Sequence, residues 1–213
     1  MESKRVEVGP AFRFAWETLT KDFWYFIGLT VVMAVVSGVT GGWGRNHVYI
    51  NFIGPIVSAW LTGGILRIVF DYIDGKKREL TDIFTQVQYF WKILLTNIIL
   101  GVIIVVGFIL FIIPGIYLAL RFQFTQYFIV DKNLDIGEAM TRSSQLTQGI
   151  KLPLFVFALA IAGVMILGAI ALGIGVLVAM PLVWLAHVRL YRTLLAEPAT
   201  ATVPPTDKPQ PAQ

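Results

Sequence analysis

"LPLFVFALAIAGVMILGAIALGIGVLVAMPLVWLAHV", residues 152–188, runs for 37 residues without a lysine, arginine, aspartate or glutamate. A helix crossing a bilayer needs only about 20 apolar residues, so this stretch crosses twice, turning at Gly173 to Gly175. A second uncharged run of 28 residues separates Lys92 from Arg121. Hydrocarbon offers backbone amides no water, which leaves helices and closed barrels as spanning structures. Strand-like alternation is absent, so the expected fold is all-α. Composition agrees: 56% of the 213 residues are hydrophobic and 14% charged, against roughly 45–50% and about 25% in soluble domains.

Working outward, six spans are expected: Phe23 to Thr40, Tyr49 to Phe70, Ile93 to Ile113, Ile116 to Val130, Leu152 to Leu172 and Ile174 to Tyr191. Gly41-Gly42, Pro114-Gly115 and Gly173 to Gly175 mark the turns on one side. Outside the spans, fourteen lysines and arginines fall on the other side and only Arg45 on the turn side. Short basic loops stay in the cytosol, so both termini and both long loops are expected there. Arg67 near the cytosolic end of its span is read as an anchor, able to snorkel or to pair with Asp71 one turn on.

Three amphipathic helices are expected along the cytosolic interface, at 8–20, 80–91 and 135–148, each with apolar residues at i, i+3, i+4 spacing. In the third, Asp135 and Glu138 resemble a capping box. Each precedes a lysine, Lys21, Lys92 or Lys151, that opens a span, and the second span of each pair begins near a proline, Pro55, Pro114 or Pro181. The unit of amphipathic helix, span, turn, span suggests a threefold repeat of about 60–70 residues. Residues 1–196 form one integral membrane domain. The tail at 197–213, "PATATVPPTDKPQPAQ" after Glu197, is polar and proline-rich, and is expected to be disordered in the cytosol.

Chemistry is sparse. There is no cysteine, and the two histidines, His47 and His187, fall on opposite sides of the bilayer. No phosphate loop, metalloprotease helix or nucleophile elbow is present. The acidic residues cluster at the cytosolic edge, so neither an enzyme, nor a cofactor or metal site, nor nucleic acid binding is expected. Small-residue pairs such as Ala158 with Ala162 and Ala171 with Gly175 permit close helix approach, within the bundle or in a homo-oligomer, and any protein partner is unspecified.

The fourth span is the polar one. On a continuous helix Arg121 lies ten residues, about 15 Å, inside Asp131. It has no spanning acid as counter-ion, which leaves carbonyls, water or lipid phosphate as partners. Tyr117 shares its face at i−4, while Gln123 and Gln126 lie on another. Gln126 and Asn97 reach the same depth in an antiparallel pair, where the two amides can bond across the helices. Arg121, Gln123, Gln126, Asn97 and Tyr117 form the candidate polar or lipid site, with structural packing as the alternative role.

"IIPGIYLALRFQFTQYFIVDKNLDIGEAMTRSSQLTQG", residues 112–149, together with "LYRTLL" at 190–195, resembles the membrane domain attached to some bacterial glycerophosphodiester phosphodiesterases and their stand-alone YciC-like relatives. The resemblance implies a six-span protein of the bacterial inner membrane. It brings no catalytic residue, because the phosphodiesterase chemistry belongs to a soluble domain. The expected role is a non-enzymatic scaffold or lipid-associated modulator, with membrane lipids, anionic ones included, as partners. The alternative is a small transporter or export component with a polar path near Arg121.

Overall fold

The computed structural model describes residues 6–41, 48–76, 79–171 and 174–196. The expected disordered tail and the expected turn at Gly42 lie outside them. The described residues are helical, with no strand among them. Helix α1 (Val8–Lys21) meets α2 (Phe23–Gly41) at 97°, and α3 (Val48–Ile73) returns beside α2. Two short 3-10 turns, Leu80–Phe84 and Val87–Tyr89, lead into α4 (Phe90–Leu110), which pairs with α5 (Ile112–Phe122). Then come α6 (Thr125–Lys132), α7 (Ile136–Leu146), α8 (Lys151–Ile170) and α9 (Ile174–Ala196).

Among the described residues, three segments are long and apolar enough to cross a membrane: Gly54–Ile73 of α3, α4 and α8, with the bent α1–α2 pair a fourth if taken as one span. The expected fourth span, 116–130, is not one helix but is divided between α5 and α6. At 11 residues α5 is only about 16 Å long, roughly half the hydrocarbon thickness. The expected helix at 80–91 is likewise replaced by the two 3-10 turns. There the Asp82 carboxylate accepts the Glu79 N–H at 3.2 Å, and the Asp82 carbonyl takes the Thr85 hydroxyl at 2.9 Å. Those local bonds close i→i+3 turns in place of an α-helical ladder.

Packing explains the glycines. Ile83 of the first 3-10 turn is fully buried against Gly64 of α3, where any side chain at 64 would overlap the Ile83 carbonyl. The α4–α5 hairpin reverses at extended Phe111, three residues before the expected Pro114-Gly115 turn. Pro114 falls instead in the first turn of α5, where its missing N–H would have had no acceptor. Gly115 lies under the Phe108 ring, and a Cβ on Gly107 would come within 3.1 Å of the Gly115 Cα. The α8–α9 pair is sealed similarly: a Cβ on Gly168 would lie 3.0 Å from the Gly175 carbonyl.

The core sits at the end of the bundle where the basic residues collect. Tyr191 of α9 is fully buried among Phe70, Phe124, Tyr127 and Phe128, at ring centroid distances of 5.2–6.0 Å. Its hydroxyl donates to the Asp131 carboxylate at 3.1 Å. Arg192 binds Asp131 at 3.1 Å and Asp74 at 2.8 Å, with its guanidinium 5.0 Å from the centre of the Phe70 ring. The Tyr-Arg pair of "LYRTLL" thus ties the end of α9 to α6 and to the residue after α3. Tyr191→Phe keeps the ring but leaves Asp131 one donor short, which should cost about 1–2 kcal/mol, read as a lowered thermal midpoint in detergent; an unchanged midpoint would show the bond to be idle.

Candidate functional site

The division of α5 from α6 is built by α7. Phe124, at φ −95° and ψ 3°, departs from helical geometry, so the Arg121 carbonyl and the Phe124 N–H leave the helical ladder. Both meet the hydroxyl of Ser143, a fully buried residue of α7: it donates to the Arg121 carbonyl at 3.0 Å and accepts the Phe124 N–H at 3.2 Å. The buried Thr147 hydroxyl stands 3.2 Å from the same carbonyl and 2.9 Å from that of Ser143. A buried backbone group left without a partner is costly, and these two side chains allow a break that neither glycine nor proline announces.

That arrangement places Arg121 beside α7 rather than alone in a continuous spanning helix. Its Nε donates to the Ser144 hydroxyl at 2.7 Å, and the residue is half-buried. Among the described residues no carboxylate pairs with it; its guanidinium carbon lies 5.4 Å from the centroid of the adjacent Phe122 ring. One turn back, the Tyr117 hydroxyl accepts from Lys151 Nζ at 2.6 Å, and the ammonium also lies 3.9 Å from the Tyr117 ring centroid. The ends of α5 and α7 and the start of α8 therefore gather two cations, Arg121 and Lys151, with two hydroxyls, Ser144 and Tyr117.

The remaining expected residues stand apart from this cluster. Gln126 donates its side-chain amide to the Asn97 side-chain amide oxygen, Oδ1, joining α6 to α4 at the depth the two share. The Gln123 side-chain nitrogen is buried without a partner in the break. The five candidates divide into Arg121 with Tyr117, Asn97 with Gln126, and Gln123. Sequence reasoning missed Ser143, Ser144, Thr147 and Lys151. A signal was present: Ser143 and Thr147 occupy the face of α7 that otherwise carries Ala139, Leu146 and the following Ile150, all buried.

Neighbouring polar contacts are structural. Arg67 pairs with Asp71 at 3.0 Å, as expected from their spacing. Lys92 donates to the carbonyls of Asn133 and Leu134 at 3.3 and 3.4 Å, holding the left-handed turn at Asn133, φ 52°. It also pairs with Asp135 at 3.1 Å. The expected Asp135–Glu138 capping box is consequently not formed, for the Asp135 carboxylate makes no cap bond and turns to Lys92. His187 packs against Phe157 and Tyr127, at centroid distances of 5.2 and 6.1 Å.

Residues 101–197 match the model of a family described as a protein of unknown function, DUF975. The matched region begins within α4 and takes in the broken helix, α7, the α8–α9 pair and the Tyr191–Arg192 anchor. No curated protein and no solved structure matches the chain.

Proposed function

We propose that this chain is a non-enzymatic multi-pass protein of the bacterial inner membrane, a scaffold or lipid-associated modulator. The observation that carries the reading is the contrast between its flanks and its basic end. Ile98, Val102, Val105 and Ile109 on α4, and Leu152, Val156, Leu159 and Ile170 on α8, are exposed along the sides. In water, apolar patches of that extent are not left uncovered. Trp24 and Trp91, 82% and 66% exposed, stand at the first turns of α2 and α4, where aromatic side chains favour the membrane–water boundary.

In this reading α2, α3, α4, the divided α5–α6 pair, α8 and α9 make six passes, with α1, the 3-10 turns and α7 along the cytosolic interface. The similar glycine contacts of the α4–α5 and α8–α9 pairs support a repeat in two of its three units. The inner membrane comes from the resemblance of residues 112–149 to the phosphodiesterase-associated membrane domain. A transport path would need Asn97 and Gln126 to open towards Arg121, whereas the two amides bind each other, which favours the scaffold.

Single cysteines at Ser3, Lys77, Asn133 and Thr206 are expected to be protected from an impermeant thiol reagent in intact cells, and one at Asn46 to react. Labelling at Lys77 or Asn133 in sealed cells would overturn the six-pass arrangement.

A further inference from the structure

We infer that Arg121, Lys151, Tyr117 and Ser144 form a receptor for the phosphate of an anionic lipid head group. The inference rests on the membrane reading above and adds the chemistry of the ligand. Its basis is what the four side chains have left over once their mutual bonds are counted. Arg121 uses Nε on Ser144, so both terminal guanidinium nitrogens keep their hydrogens. Lys151 uses one of three hydrogens on Tyr117. Ser144 and Tyr117 accept those bonds and retain their own hydroxyl hydrogens.

Everything remaining on the polar heads of Arg121 and Lys151 is a donor, and the cluster carries two positive charges with no carboxylate bound to it among the described residues. A neutral ligand would leave that charge uncompensated. A carboxylate holds its two oxygens close together in one plane, whereas a lipid phosphodiester sets two non-bridging oxygens tetrahedrally with two ester oxygens beside them, a wider spread of acceptors for a fork and an ammonium set apart on neighbouring helices. The setting selects the source. Tyr117 is 43% exposed, Lys151 opens α8, and Leu152 next to it is 74% exposed beside the apolar flank. A lipid whose chains lie along that flank would bring its phosphate to the level of Lys151.

Two other places are weaker. The cavity of about 280 Å³ between α1 and the end of α3 has Lys21 and Lys76 at its margin, but Asp22, already bound to Tyr72, lies in the same wall and opposes an anion. The bare flanks carry no polar group that selects one lipid from another.

The test uses the full chain in phosphatidylcholine nanodiscs with graded phosphatidylglycerol, counting the lipids retained on release by native mass spectrometry. Both lipids present a phosphate, but the choline cation of phosphatidylcholine repels Arg121 and Lys151 and cancels the net charge, so wild type should retain phosphatidylglycerol over phosphatidylcholine by about tenfold or more. Arg121→Leu and Lys151→Gln should each bring the preference to within about twofold, and Ser144→Ala, which frees Arg121 and removes one hydroxyl donor but no charge, should have an intermediate effect. Lys151→Gln, at a partly exposed helix start, keeps the test available if Arg121→Leu does not fold. Equal retention of both lipids by wild type, or unchanged preference in both cation variants, would overturn the site. Displacement by millimolar inorganic phosphate, lost in the same variants, would assign the site to a soluble phosphate and overturn the lipid source. Extraction of the chain from native membranes by alkaline carbonate would instead defeat the membrane reading itself; retention in the membrane without lipid preference would defeat only the site.

Discussion

Gly64→Ala is expected to abolish most of the folded protein. The methyl group would overlap the Ile83 carbonyl oxygen and lie 2.7 Å from Ile83 Cγ1 and 2.9 Å from the Ile83 carbonyl carbon. Two of those three atoms are backbone, so no rotamer change relieves the clash. Ile83 is fully buried, and its 3-10 turn is held by the bonds of Asp82 to Glu79 and Thr85. The turn must move as a unit or α3 must withdraw, and overpacking of that kind costs about 3 kcal/mol or more. Gel filtration in detergent should show an aggregated or low-yield product. Gly101→Ala, where nothing lies within 4 Å of the new methyl, should match wild type or exceed it slightly, because alanine is the better helix former by about 1 kcal/mol. Equal yields from the two variants would mean that the close approach of α3 and the 3-10 turn is not required.

Ser143→Ala should produce the second largest loss, about 2 kcal/mol, the cost of stranding a buried donor. The Arg121 carbonyl keeps the Thr147 hydroxyl at 3.2 Å, but the Phe124 N–H loses its recorded acceptor. Hydrogen exchange should accelerate at Phe124 and Thr125 before the rest of α6 is affected, and the thermal midpoint should fall. The adjacent Ser144→Ala removes only a partner of the half-buried Arg121 and should change stability by less than about 0.5 kcal/mol. If the two serine variants behave alike, the hydroxyl of Ser143 does not hold the break.

Where the sequence was informative, the reason was spacing or hydropathy. The i, i+4 placement of Arg67 and Asp71 and the equal depth of Asn97 and Gln126 required only helix geometry, and both pairs are joined. The apolar runs revealed α4 and α8, and amphipathic spacing revealed α1 and α7. The break at Gln123–Phe124 was hidden because "RFQFTQYF" contains no breaker; its cause is a serine twenty residues downstream, and tertiary contact overrode local preference. Asp135 misled for the same reason, since a lysine 43 positions earlier competes for its carboxylate. Arg121 and Tyr117 were visible as polar residues in an apolar setting, whereas Lys151 looked like an ordinary flanking charge until α8 was placed against α5.

The right angle between α1 and α2 lays the first helix along the last, α1 against α9, with Ala15 and Leu19 fully buried. During synthesis this contact cannot be completed until α9 has been made, its last residue, Ala196, following the end of α1 by 175 residues. At about 5–20 residues per second that interval is roughly 9–35 s. Throughout it, the apolar side of α1 needs a host, and the membrane surface is the one available to an amphipathic helix. The nascent chain would thus borrow lipid as a temporary stand-in for α9, and the arrival of α9 would displace those lipids and latch α1 in place.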